Sequence, residues 1–260
     1  MAYLSPVLTL IIGAVKKVSG ALARDFNELE HLQNGVHGDS SYARRALERT
    51  ERVLKEELSK AKPEYPIIVN ADEPIPASGN YFLISPIDGF ANFAHANGSF
   101  AVSVALVEKN IIIEAVVYNP VSDEMFFAER GSGAFKEGFR SHERLRVAGC
   151  KQAENALFAC NVDIDLLQKV CRMSSQILIS GATALDLAYL AAGKNDAVIS
   201  AKTTPASVAA GILLVKEAGG YVFGLGETDT RSENLDKVLF GGNIIATNEA
   251  LKQKIADFVA

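Results

Sequence analysis

The chain has 260 residues, of which 48% are hydrophobic and 22% are charged, and its formal net charge is −5. A chain of this size and composition can bury a large core, as globular proteins do. The negative net charge argues against a general nucleic-acid-binding protein, because such proteins need a basic surface to displace counterions from phosphates. A local basic patch remains compatible with this charge.

The first predicted element is an amphipathic helix. Apolar residues from Leu8 to Leu29 recur on one helical stripe, and Ser5-Pro6 provides a cap and a first turn. The apolar run at 8–12 is too short to span a membrane, and no positively charged segment precedes it as in a signal peptide. We therefore predict a core helix and no membrane partner.

The cysteines and histidines show no metal-binding pattern. Cys150, Cys160 and Cys171 are odd in number and widely spaced, so they match neither a zinc site nor a disulfide framework. They indicate reduced thiols in a cytoplasmic protein. The four histidines lack H-x-x-x-H spacing, so we do not expect a histidine-based metal site.

A second helix is predicted from Tyr42 to Lys62, because apolar residues recur on one face and Pro63 ends the pattern. This helix carries a cationic run at Arg44, Arg45, Arg49, Arg52 and Lys55. Such a run is usually a solvated face, and it is also a candidate contact surface for a macromolecule.

Strands dominate the next part of the chain. Alternating or apolar runs separated by turn residues predict an antiparallel meander with one buried face. The runs lie at 81–84, 100–106, 111–118, 125–129 and 134–136.

The remaining chain alternates short buried strands with helices, which predicts an α/β half. Strands are expected at 156–160, 196–200 and 243–246, and helices at 163–173, 183–192, 207–218 and 248–259. We expect a boundary near residues 145–155, with N-terminal helices and an antiparallel sheet in 1–150 and an α/β half in 151–260. No flexible linker separates them, so we expect one continuous unit.

Several motifs carry a resemblance to a known family. The stretch Ser85-Pro86-Ile87-Asp88-Gly89-Phe90-Ala91-Asn92-Phe93 resembles the D-P-I/L-D-G-T-x-N-F signature of the inositol monophosphatase family. The stretch at 181–188 is similar to the family's G-S/T-A-A-L-D-L-A helix, and 209–211 with 217–220 are similar to its A-A-G and E-A-G-G motifs. These motifs occur in the family's order and span essentially the whole chain. The bacterial branch that contains the extragenic suppressor SuhB is the most similar.

This resemblance implies an α-β-α-β-α sandwich, an α+β layered fold, usually assembled as a homodimer. It also implies hydrolysis of inositol or sugar phosphates with Mg²⁺. In such a site, clustered carboxylates hold the ions, one ion activates a water, and others neutralise the phosphate.

The family's metal-binding positions are largely substituted here. Carried over residue by residue, the resemblance places the metal ligands at Asn70, Ser85, Ile87, Asp88 and Ser207. Only Asp88 retains the family carboxylate, while Ile87 still offers a backbone carbonyl. A nearby carboxylate contributes several kcal/mol to holding an ion at an effective dielectric constant of about 20, so losing three predicts weak or absent Mg²⁺ binding.

Other family positions also differ. Phe90 replaces the threonine that positions the catalytic water, and Ser200 replaces a glutamate that contacts substrate. The family also has an aspartate in its second helix, and the position that the resemblance aligns with it lies near Leu47. Gly89 and Phe90 remain as candidate phosphate-binding residues through their backbone N–H groups. Asp72 and Glu73 are candidate compensating carboxylates.

Three functions follow as alternatives. The first is a protein that has lost or strongly reduced phosphatase activity and retains a binding or regulatory role. The SuhB branch suggests the transcription machinery, RNA polymerase or elongation factors, as its partner. The second is an active Mg²⁺-dependent phosphatase with a rebuilt site that uses Asp72, Glu73 and Asp88. The third is a sensor that binds a phosphate or sugar ligand through the N–H groups of Gly89 and Phe90.

Overall fold

The computed structural model describes residues 4–33, 40–69, 73–76, 78–174, 176–225 and 235–259. The helices are α1 Pro6–Gln33, α2 Ser40–Ala61, α3 Phe90–Ala94, α4 Ile164–Met173, α5 Thr183–Ala191, α6 Pro205–Glu217, α7 Leu235–Phe240 and α8 Glu249–Val259. The first seven strands are β1 Ile67–Ile68, β2 Tyr81–Asp88, β3 Ala101–Glu108, β4 Ile111–Asn119, β5 Glu124–Glu129, β6 Gly133–Lys136 and β7 Glu143–Arg144. The others are β8 Phe158–Asn161, β9 Ile177–Leu178, β10 Ala197–Ala201, β11 Tyr221–Phe223 and β12 Asn243–Thr247.

The strands form two sheets. The first sheet has seven strands in sequential order β1 to β7, and its pairs are antiparallel except β1 with β2. The second sheet has five strands in the order β11-β12-β10-β8-β9, with parallel and antiparallel pairs. The predicted meander and the predicted α/β half are both confirmed.

Three hydrophobic clusters define the layers. Helices α1 and α2 cover one face of the seven-stranded sheet, where Leu22 and Leu54 are buried with Phe82. Helices α5 and α6 lie between the two sheets, and Leu187 shares their cluster with Leu83. Helices α4 and α8 cover the outer face of the five-stranded sheet. The predicted α-β-α-β-α sandwich is therefore confirmed.

Helix α1 explains the apolar sequence near the N-terminus. Among the described helices it alone is long and apolar enough to cross a membrane by length and composition. Its apolar stripe is buried, with Leu8, Ile11 and Val15 at most 1% exposed, against α2 and the sheet. Ser5 caps its first turn, since the hydroxyl oxygen accepts the N–H of Leu8 at 2.9 Å. The predicted core helix is thus observed.

Candidate functional site

The signature motif lies where strand β2 ends and helix α3 begins. Ser85 pairs with Ser103 of β3 and Asp88 pairs with Ala101, so β2 carries one extra residue between them. This is a β-bulge, and Pro86 fits there because a bulged residue need not donate to the ladder. The bulge sets the direction in which Asp88 leaves the sheet.

Gly89 links the strand to the helix in a conformation that favours glycine. Its φ is +81°, in the left-handed region. A Cβ at this position would lie 2.9 Å from the Cβ of Ala182 and 2.9 Å from the carbonyl oxygen of Ser99. Gly89 therefore brings the signature turn into close contact with the segment that precedes helix α5.

The Asp88 carboxylate, at the end of β2, caps helix α5, which lies far away in the sequence. Its Oδ2 accepts the backbone N–H of Ala184 at 2.8 Å, in the first turn of that helix. Asp88 is only 7% exposed, and burial raises its pKa to about 7, while the Ala184 N–H opposes the shift and Asp186 adds to it. The one family carboxylate thus accepts helix N–H groups, and with a pKa of about 7 it is about half protonated at neutral pH.

A second buried acid, Asp186, lies in the first turn of α5. Its Oδ2 accepts the hydroxyl of Ser180 at 2.6 Å and the amide Nδ2 of Asn161 at 2.9 Å. Burial raises its pKa to about 6 against these two hydrogen bonds. No role for Asp186 was predicted from the sequence, although an acid in an Ala- and Leu-rich helix face needs buried partners.

Asn92, in the signature motif on α3, connects the loop before β3 to the segment before α5. Its Nδ2 donates to the carbonyl oxygens of Ser99 and Ser180, each at 2.7 Å. Ser180 in turn donates to Asp186, so one chain of hydrogen bonds runs from α3 to α5. Asn161 extends this network, since its Oδ1 accepts the N–H of Gly181 at 2.7 Å.

Ser200 lies on β10, at the position aligned with the family's substrate-contacting glutamate. Ser207 lies on α6, at a position aligned with a metal ligand of the family. Ser200 is 1% exposed, and its hydroxyl lies 3.4 Å from Nδ2 of Asn161. Ser207 forms a capping box with Thr204: its hydroxyl accepts the Thr204 N–H at 3.1 Å and donates to the Thr204 carbonyl at 2.9 Å. Helix α6 is confirmed, but it begins at Pro205, two residues before the start at 207 expected from the sequence. Ser207 is thus committed to capping α6.

The remaining predicted site positions do not place further carboxylates beside Asp88 among the described residues. Ile87 is 5% exposed and Phe90 is partly buried, and both pack into the cluster beneath α1 and α2. Ser85 is half-buried on β2. Glu73 accepts the N–H of Val69 at 3.1 Å through Oε1, within its own loop. Asn70 and Asp72 lie outside the described residues.

These donors do not suit Mg²⁺, which prefers several anionic oxygens in octahedral geometry. Among the described residues, no group of three or more His, Cys, Asp or Glu side chains is placed to hold a metal ion. Asp88 and Asp186 accept hydrogen bonds from backbone, hydroxyl or amide groups, and both have raised pKa values. The described part of the site is therefore a polar network with few fixed charges.

Comparison with known proteins identifies the family of the chain. The sequence profile of the inositol monophosphatase family matches residues 3–259. The chain belongs to the inositol monophosphatase family. An inositol-1-monophosphatase of Rhizobium meliloti is 34% identical over 98% of this chain and 96% of the relative. A Nus factor SuhB of Xylella fastidiosa is 32% identical over 84% of this chain and 81% of the relative.

Solved structures agree with this assignment. The crystal structure of extragenic suppressor protein suhB from Bartonella henselae superposes with a TM-score of 0.82 at 33% identity, covering 99% of each chain. The family resemblance read from the signature motifs is therefore confirmed over the whole chain.

Proposed function

We propose that this member of the inositol monophosphatase family has lost, or strongly reduced, Mg²⁺-dependent hydrolysis of phosphate monoesters. The observation that carries the proposal is the role of Asp88, the one family carboxylate among the described metal positions. Its oxygen accepts a helix N–H, and its pKa is raised to about 7 by burial. A carboxyl group that is partly protonated and already hydrogen-bonded must lose its proton before it can bind a divalent cation, which weakens the binding.

The substituted positions support the same proposal. Ser85 and Ser207 supply neutral hydroxyls where the family has aspartates, and Ser207 is already occupied in the α6 capping box. At an effective dielectric constant of about 20, two unit charges 4 Å apart interact by about 4 kcal/mol, and a divalent ion doubles this. Replacing two such carboxylates by hydroxyls therefore removes most of the attraction for the ion.

Phosphate release from inositol-1-phosphate in the presence of Mg²⁺ tests this proposal. The Rhizobium meliloti inositol-1-monophosphatase, 34% identical to this chain, serves as the positive control. We expect release at the level of the uncatalysed reaction, or a rate that is orders of magnitude below that of the control. A rate comparable with the control, abolished by Asp88→Asn, would establish an active enzyme instead.

The second candidate function is that active enzyme, with a rebuilt metal site. The observation in its favour is the close similarity to relatives named inositol-1-monophosphatase over nearly the whole chain. Such a site would combine Asp88 with Glu73 and with Asp72. Parallel assays of Asp72→Asn and Glu73→Gln distinguish it, because only a rebuilt site makes activity depend on those two side chains.

We propose that the retained role is macromolecular binding in the cytoplasm, with the transcription machinery as partner. Relatives named Nus factor SuhB, 29–32% identical to this chain, support this choice. The exposed residues Arg44 and Arg52 of α2 are the candidate contacts, since Arg49 pairs with Asp25 and Lys55 with Glu51.

A pull-down from purified components tests this partner. The tagged chain should retain bacterial RNA polymerase or its elongation factors, and Arg44→Glu with Arg52→Glu should reduce the retained amount. No retention by the unmodified chain would rule out the proposed partner.

We also propose a homodimer, as the family resemblance implies. Strand β9 is an edge of the five-stranded sheet, and apolar side chains are exposed there and at the start of α4: Leu178 is 42%, Ile179 63% and Ile164 65% exposed. A second copy would cover these residues. Light scattering after size exclusion should give twice the 27.8 kDa chain mass, and Leu178→Lys with Ile179→Lys should reduce it to one.

A further inference from the structure

The first turn of helix α1 rests on two carboxylates of the seven-stranded sheet. Glu114 in β4 and Glu129 in β5 are cross-strand partners. The backbone N–H of Ser5 donates to Oε2 of Glu129 at 3.3 Å, and the Ser5 hydroxyl donates to Oε1 of Glu114 at 2.5 Å. The same hydroxyl oxygen accepts the N–H of Leu8. Ser5 therefore connects the capped end of α1 to both carboxyl groups.

Glu114 is unusual because it is a buried acid and one of its carboxylate oxygens accepts no hydrogen bond from the described residues. It is 5% exposed, and its Oε2 is shielded from solvent and has no hydrogen-bond partner among the described residues. A charged oxygen without a donor is costly to bury, and a like charge directly opposite on the next strand adds to that cost. Glu129, which is partly exposed, supplies the charge that the N-terminus of α1 attracts.

The other charges that face Glu114 come from two further elements. Glu108 ends β3, and Lys62 follows α2; Nζ of Lys62 lies 3.4 Å from Oε1 of Glu108, which also accepts the hydroxyl of Tyr65 at 3.0 Å. Burial, followed by Glu129 and Glu108, raises the pKa of Glu114, whereas the Ser5 hydroxyl and Lys62 lower it. Lys62 is thus shared with another acid and does not neutralise Glu114.

We propose that Glu114 is a proton-dependent latch: the protonated side chain holds the first turn of α1 against β4 and β5, and its ionisation releases that turn. When the proton leaves to solvent, a charged oxygen to which no described residue donates remains beside Glu129. Separation of the turn from the sheet relieves this cost, because water then reaches both carboxylates. The folded form holds the proton more tightly than the released form, so the latch is closed at low pH and opens as pH rises.

Amide hydrogen exchange of the first three turns of α1, measured from about pH 5 to about pH 9, tests the latch. After correction for intrinsic exchange, protection should fall by up to about tenfold for each pH unit between the pKa of Glu114 in the released form and its raised pKa in the closed form, since opening releases one proton there. Above the raised pKa both forms are ionised, so protection should level off. Glu114→Gln keeps the shape without the charge, so its protection should be high and independent of pH. Ser5→Ala removes the connection, so protection should be low at every pH.

Glu137→Gln is the matched control, because Glu137 also binds α1, through Lys16 at 2.7 Å, but at an exposed position. This variant should keep the pH dependence of the unmodified chain. The proposal is overturned by a pH-independent protection of α1 in the unmodified chain, or by the same pH dependence in Glu114→Gln.

Discussion

At the scale of single residues, Asp88 has a structural role at the start of helix α5. Its carboxylate takes the place of a local cap at helix α5, whose own N-cap residue, Ala182, has no side-chain oxygen to offer. Because burial raises the pKa of Asp88 to about 7, the folded chain binds this proton more tightly than the unfolded chain. The stabilisation is therefore complete only below the pKa of an unfolded aspartate, which is about 4, and is lost progressively as pH rises from there through about 7.

Asp88→Asn should reduce this pH dependence. The asparagine oxygen can still accept the Ala184 N–H, but it does not titrate. From about pH 6 to about pH 8 the unmodified chain should lose about 1 kcal/mol of unfolding free energy that the variant keeps. Urea unfolding at both pH values measures the difference. Equal losses in both proteins would show that Asp88 does not hold the extra proton.

Ser85 and Ser207 offer a complementary test, because restoring carboxylates there should restore affinity for Mg²⁺. An aspartate at 207 also suits the first turn of α6, where the helix dipole favours negative charge. With Mg²⁺ at ten times its Kd, Ser85→Asp with Ser207→Asp should gain about 3–5 °C in Tm.

The matched control for this pair is Ser85→Asn with Ser207→Asn, which changes the shape alike without adding charge. It should show no Mg²⁺-dependent shift in Tm, and neither should the unmodified chain. Equal shifts in all three proteins would mean that the ion binds elsewhere.

The sequence predicted these residues unevenly. Ser85, Asp88, Gly89 and Ser207 could be placed because a motif with fixed spacing surrounds each of them. The network of Asp186 with Ser180 and Asn161 could not, because its members are 25 and 6 residues apart and meet only after the second sheet forms. Hydrogen bonds between separate strands and helices leave no local pattern in the chain.

At the scale of elements, the close packing of α5 on α6 depends on Gly211. A Cβ at Gly211 would lie 2.5 Å from the Cβ of Leu187, so the two helices would have to separate. Gly211→Ala should therefore destabilise the fold by about 1–3 kcal/mol despite the better helix propensity of alanine. Chemical denaturation with the slope compared between variants measures this cost.

Gly13→Ala is the matched control, because an added Cβ at this helical glycine meets no neighbouring atom. Gly13 lies in α1, is exposed, and no atom lies within 4 Å of an added Cβ. This variant should gain about 0.5–1 kcal/mol, because alanine costs less backbone entropy in a helix than glycine. If both variants lost stability equally, packing at Gly211 would not be the cause.

Long periodic elements were predictable and short ones were not. The helices α1, α2, α4, α5, α6 and α8 and the central strands were located from repeating apolar positions. Strands β1, β7 and β9 have two residues each, which is too short for a period to be recognised. Pairing with a longer neighbour creates them, so their position depends on tertiary structure.

At the scale of the whole molecule, we propose that residues 1–150 and 151–260 form one continuous unit. A single cluster contains Leu83 and Ala105 of the first sheet with Val198 and Ala246 of the second. Glu124 of β5 also pairs with Lys194, which follows α5, at 2.5 Å. Unfolding should be a single transition, with coincident curves from far-UV and near-UV circular dichroism. Two separated transitions would show that the halves fold independently.

Direct titration of the unmodified chain with Mg²⁺ and with Mn²⁺ tests whether the substituted site binds divalent ions. Calorimetry follows the first ion, and the electron paramagnetic resonance of free Mn²⁺ follows the second. We expect no saturable binding in the millimolar range, either alone or with inositol-1-phosphate present, because hydroxyls and a capped carboxyl replace the anionic ligands. Stoichiometric binding of either ion that disappears in Asp88→Asn would contradict this expectation.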